Sequence, residues 1–162
     1  MGIISKALAA ATATAMLAGS ANAACWTPAA YQAAQVRELD TMLMVEALRC
    51  RKTSASFLGE YNRFVQVSRP ALIQANAELK THFGGLNAYD SYMTTVANRY
   101  GAGTEGVDCH DVAGIVRAGL AAKGSMEALF QVAEQAQVEP SLDGPRCRAV
   151  GKAPAGYIAS RR

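Results

Sequence analysis

Apolar positions along most of this chain recur at steps of three and four residues, the spacing of one helical face, and no segment alternates in the two-residue rhythm of a strand. Val36, Leu39, Leu43, Ala47 and Cys50 form the first stripe. Thr27-Pro28 before it reads as a helix start, with threonine as the cap and proline at a first position where its missing N–H costs nothing. A helix is therefore predicted from Pro28 to about Arg51 or Lys52. Thr53 or Ser54 is placed to cap the next, in which Leu58, Val65, Leu72 and Leu79 fall at sevens, with Tyr61 and Phe64 beside them. Pro70 removes a backbone hydrogen bond and crowds the Gln66 carbonyl, so a kink or short break is expected near Ser68. The helix should then resume to Phe83 and stop at Gly84-Gly85.

Asn87 is positioned to cap a third helix that carries Tyr89, Met93, Val96 and Tyr100 on one side. A glycine-rich connector from Gly101 to Gly106 follows, expected to be flexible. Asp108 can cap a fourth helix, with Asp111 three residues on in a pattern like a capping box. Val112, Val116 and Leu120 carry its stripe, Gly124-Ser125 should break or bend it, and Met126, Leu129, Phe130 and Ala133 make a last face. The pattern predicts an all-α fold: a small up-and-down bundle of four to five helices, kinked near Pro70. The helical domain spans residues 24–140. Beyond Pro140 the composition turns to proline, glycine and arginine, so residues 141–162 should be an irregular tail with little to pack except Cys147, mobile from about residue 151.

The first 23 residues change the picture. Lys6 supplies a positive charge, Ala7 to Ala18 form an apolar run too short for a membrane span, and Ala21-Asn22-Ala23 is a small-x-small cleavage site. These are the parts of a secretory signal peptide. Cleavage after Ala23 leaves 139 of the 162 residues, and loss of Lys6 lowers the net charge from +3 to +2. So small a charge predicts no strong attraction to nucleic acid or anionic membrane, and no later apolar run is long enough for stable membrane insertion. The expected location is the periplasm or outside the cell.

All four cysteines, Cys25, Cys50, Cys109 and Cys147, follow the cleavage site. In an oxidising compartment an even count reads as two disulfides, and there is no C-x-x-C pair or histidine cluster for a metal site instead. A helix over residues 28–50 would hold its ends about 33 Å apart, whereas a disulfide needs Cα atoms within about 7 Å. Cys25 therefore cannot reach Cys50, and Cys109–Cys147 would strand both. Of the two connectivities left, helices running alternately up and down favour Cys50–Cys109 with Cys25–Cys147.

Several stretches imitate chemistry. Tyr100-Gly101-Ala102-Gly103-Thr104-Glu105-Gly106 contains a literal G-x-G-x-x-G. That fingerprint works between a strand and a helix in a βαβ unit, and here a helical pattern precedes it and no second strand follows. No cofactor is expected. Cys109-His110-Asp111 uses the residue types of a cysteine protease, but helical neighbours point roughly 100° apart, and a disulfide sulfur is no nucleophile. His82 and His110 are read as surface residues. Glu60, Glu78, Asp90, Glu127 and Glu134 are available carboxylates without a recognisable motif. Tyr89, Tyr92, Arg99 and Tyr100 form the candidate binding surface, since aromatics with arginine are what such surfaces use; the alternative is that the rings pack at the core edge and wet their hydroxyls.

Cys25-Trp26-Thr27-Pro28, Leu48-Arg49-Cys50-Arg51, Tyr61-Asn62-Arg63-Phe64 and Asn98-Arg99-Tyr100-Gly101 give the chain after cleavage a resemblance to small exported four-cysteine helical proteins of bacteria. The label S-adenosylhomocysteine hydrolase is associated with such chains, but that enzyme is a much larger cytosolic NAD-binding protein, and only the glycines invite the comparison. The sequence thus points to an exported, non-catalytic protein that binds a protein or cell-envelope component. The alternatives are a periplasmic hydrolase of envelope material and an immunity-type or stress-protective protein.

Overall fold

The computed structural model describes residues 25–104 and 106–147. The expected signal peptide and the end of the tail, from residue 148, lie outside the described residues, as does Glu105. Among the described residues five helices follow in order: α1 (Pro28–Cys50), α2 (Leu58–His82), α3 (Leu86–Tyr100), α4 (Cys109–Ala121) and α5 (Met126–Gln135). They make a small all-α bundle, and the disulfides join Cys50 to Cys109 and Cys25 to Cys147.

Thr27 caps α1 by accepting the Ala30 N–H at 3.1 Å, with Pro28 at the first position. The expected stripe from Val36 to Cys50 is buried, but so is most of the rest of the helix, including Ala30, Ala33, Ala34, Gln35, Glu38, Met42 and Glu46. α1 is therefore the central element and touches all four other helices. Its small alanines let the neighbours approach closely, which is why one apolar stripe understates its burial.

Two helix starts differ from expectation. Neither Thr53 nor Ser54 caps α2: Phe57 precedes its first turn without a side-chain cap, and Thr53 Oγ1 donates instead to the Cys50 carbonyl at the end of α1. The buried Phe57 ring fixes the entry into α2 by packing rather than by a polar cap. α3 starts at Leu86, directly after Gly85, so Asn87 lies inside its first turn. Gly84, at φ +69°, ends the preceding helix as a glycine in that position does. Asp108 caps α4 as expected, accepting the His110 and Asp111 N–H groups at 2.8 and 2.9 Å, and Ser125 caps α5.

Pro70 does not break α2, which runs uninterrupted past it. Phe64, Ala71, Leu72, Ala75 and Leu79 are buried on the same helix, so packing on either side of the proline holds the helix together. The corner between α4 and α5 fits this region closely: a Cβ on Gly124 would lie 2.5 Å from the Val67 carbonyl oxygen, and Gly124 itself has φ +75°. One turn earlier, a Cβ on Gly119 would lie 2.7 Å from the Phe64 ring.

Candidate functional site

The site grows from a second stripe on α1, one position out of step with the apolar one. Gln35, Glu38, Met42, Glu46 and Arg49 follow one another at steps of three and four, so they share a face. Glu38, fully buried, is at its centre. Its Oε1 accepts the Tyr92 hydroxyl at 2.8 Å and the Ser141 N–H at 2.6 Å, while Oε2 accepts from Arg99 Nη1 at 3.2 Å. Burial pushes the Glu38 carboxyl above its ordinary 4.5, against the pull of Ser141, Tyr92, Arg99 and Tyr100. The same burial, reinforced by the Glu38 charge, raises the Tyr92 hydroxyl and pushes Tyr100 up to about 12. Both tyrosines are therefore neutral donors at neutral pH.

Arg99, with a half-exposed side chain, also donates to the Glu139 carbonyl and, at 3.0 Å, to the Ser141 hydroxyl. Gln35 donates to the Val138 carbonyl at 2.9 Å, and Trp26 Nε1 to Asp143 Oδ1 at 3.1 Å. Near the disulfide, Trp26 N–H donates to the Pro145 carbonyl and Cys147 N–H to the Trp26 carbonyl, each at 2.8 Å. The segment after α5 is thus a strap fastened across α1 and α3, anchored by much more than Cys147.

The other buried carboxylates are engaged in the same way. Asp40 accepts from Arg37 at 2.6 Å and from the Tyr61 hydroxyl at 3.2 Å; its pKa is raised by burial, with Arg37 and Tyr61 pulling it back. Glu46 accepts the Thr104 N–H and lies 3.6 Å from Arg49. Arg49 donates in turn to the Ala102 carbonyl. The glycine-rich connector is therefore not loose: it is docked on α1 by Glu46 and Arg49. Gly103, at φ +89°, leaves the Arg49 guanidinium the space that a Cβ would occupy.

The four residues of the candidate surface divide accordingly. Tyr89, Tyr92 and Tyr100 are buried, so they do not form an exposed aromatic patch: Tyr89 donates to Asn76 at 2.6 Å, Tyr92 donates to Glu38, and Tyr100 stands under Arg99. The hydroxyls of Tyr89 and Tyr92 end on protein acceptors. The α3 face that carries Tyr92, Arg99 and Tyr100 nonetheless borders two open depressions. One, of about 430 Å³, is lined by Phe83, Ala88, Ser91, Tyr92 and Thr95, with Ser141 and Asp143 of the strap. The other, of about 420 Å³, lies beside Met42, Arg99, Tyr100 and Thr104, with Val138 and Glu139 of the strap.

Of the two histidines, His110 is exposed, whereas His82 is half-buried against Trp26 with ring centroids 4.0 Å apart. Among the described residues no three metal-ligating side chains come together. Glu60 pairs with Arg117 at 3.5 Å on the surface. The carboxylates that matter, Glu38, Asp40 and Glu46, are on α1; the second stripe of polar residues and methionine beside the apolar one was the signal for Glu38 and Glu46, and Asp40 lies off it.

No family model, curated protein or solved structure matches the chain. It is a small disulfide-bonded helical protein, and its function has to be read from the site itself.

Proposed function

We propose that the protein is exported and acts as a non-catalytic binding module, taking a protein or cell-envelope component on the α3 face beside the strap. Its two disulfides fit an oxidising compartment, and among the described residues no helix is long and apolar enough to cross a membrane. The observation that carries the reading is the pairing of an open depression with a closed polar cluster. Ala88, Ser91 and Thr95 are exposed on the α3 face, whereas both oxygens of Glu38 beneath it are engaged by groups of the same chain. Such a cluster rigidifies the rim of a binding surface, as satisfied buried networks do.

Hydrolysis of envelope material has one observation on its side, the raised Glu38 carboxyl, because an acid catalyst needs its proton near neutral pH. A paired-carboxylate mechanism also needs a second carboxylate facing the first across a substrate. Asp40 and Glu46 are committed to Tyr61 and Arg37, and to Thr104 and Arg49. Binding accounts for this arrangement better. The test is capture from native periplasm or envelope extract with the mature, oxidised protein as bait: a specific partner is expected, and recovery of none contradicts the reading.

A further inference from the structure

The strap is held the way a groove holds a foreign peptide. Its backbone is read by side chains of the body: Gln35 on the Val138 carbonyl, Arg99 on the Glu139 carbonyl, Glu38 on the Ser141 N–H. Trp26 then takes the Asp143 carboxylate. Among residues 138–147 only Val138 is fully buried; Leu142 packs at the core edge and Arg146 lies over the Tyr31 ring, so the strap is held mainly by polar and edge contacts. Segments with few buried apolar contacts open at low free-energy cost. The far end is closed by Cys25–Cys147, and the near end leaves α5 through Gln137, a non-glycine residue at φ +54°. Both depressions of the α3 face count strap residues in their walls, Ser141 and Asp143 in one and Val138 and Glu139 in the other.

We infer that residues 138–147 are an internally bound peptide latched by the Cys25–Cys147 disulfide, and that opening the latch frees their groove for an extended, acidic, proline-containing peptide of a partner. This goes beyond the binding function proposed above: the oxidised protein takes its partner on the open face beside the strap, and the opened protein takes a peptide in the strap's place. The segment bound in place defines the chemistry: two carbonyls for Gln35 and Arg99, one free N–H for Glu38 and a carboxylate further along for Trp26. Lifting the strap removes a wall from each depression. The latch opens by exchange with a dithiol, which gives two electrons and two protons to the S–S bond, leaves thiols on Cys25 and Cys147, and itself becomes a disulfide.

The test uses the full mature chain with both latch cysteines replaced, C25S/C147S. Wild-type protein treated with a mild dithiol, with Cys50–Cys109 shown intact by mass mapping, provides a second route to the open state. Amide exchange around Ser141 should quicken at least tenfold while far-UV circular dichroism stays helical. A synthetic peptide of residues 138–146, added at millimolar concentration because the tethered strap competes with it, should speed strap exchange again in the open protein and leave the closed protein unchanged. The same peptide with Ser141→Pro lacks the N–H that Glu38 reads and should lose the effect at least tenfold. Unchanged exchange on opening, no response to the peptide, an equal response in the closed protein, or collapse of the helical signal would each overturn the inference. These failures leave capture by the oxidised protein untouched, so the latch and the binding function are tested separately.

Discussion

Glu38 is the residue on which the polar interior turns, and its neighbours set what replacement should do. Glu38→Gln keeps an acceptor for Tyr92 and Ser141 and removes a charge that burial disfavours, but turns its NH2 toward the Arg99 donor, so its stability at pH 7 should stay within about 1 kcal/mol of the wild type. Glu38→Ala leaves the Tyr92 hydroxyl and Ser141 N–H without their acceptor and should cost about 3 kcal/mol in urea unfolding. Because the folded protein holds the Glu38 proton more tightly than the unfolded chain, this group's stabilising contribution is full below pH 4.5 and is lost as pH rises through its raised value. Asp40 acts with the same sign, starting from 3.8. Urea midpoints should therefore fall with rising pH in that window, and Glu38→Gln should flatten the fall; an unchanged slope would contradict the assignment. The sequence did not single out Glu38, because a glutamate beside an apolar stripe is ordinarily solvated. Only the crowding of α1 by four helices turns that position inward.

At the scale of elements, the helices themselves were legible: periodicity, the Thr27 and Asp108 caps, and the glycines after Phe83 place them within a few residues. Their ends were less so where packing replaced a polar cap, as at Phe57, or where a glycine alone preceded the first turn, as at Gly85. The disulfide pairing followed from helix length and direction, because a rigid rod excludes partners that a coil would allow. Two element contacts carry predictions. Gly124→Ala would force a left-handed residue and a Cβ against the Val67 carbonyl, and should destabilise by about 1–3 kcal/mol in thermal unfolding. Replacing Cys50 and Cys109 with serine unties α1 from α4 and should cost about 2–4 kcal/mol, read as a lowered denaturant midpoint.

For the whole molecule, the central position of α1 explains both the stable core and the form of the site. A helix buried on most sides cannot solvate its polar residues, so its carboxylates take their partners from within α1 and from other elements. Glu38 and Gln35 recruit the strap, Asp40 recruits Tyr61, and Glu46 recruits the glycine-rich connector, so segments that read as irregular in the sequence become fixed parts of the surface. The candidate tyrosines face inward, and the open surface beside them is built from smaller residues of α3. Ser91 and Thr95 are exposed there and line the larger depression, so S91R/T95R should fill it without disturbing the fold. The most direct measurement is capture from native envelope extract by the mature wild-type protein and by S91R/T95R, the two matched in circular dichroism and melting temperature. A specific partner should be retained by the wild type and reduced at least tenfold with the variant. Equal recovery by both proteins, or no specific partner with either, would contradict binding on the α3 face.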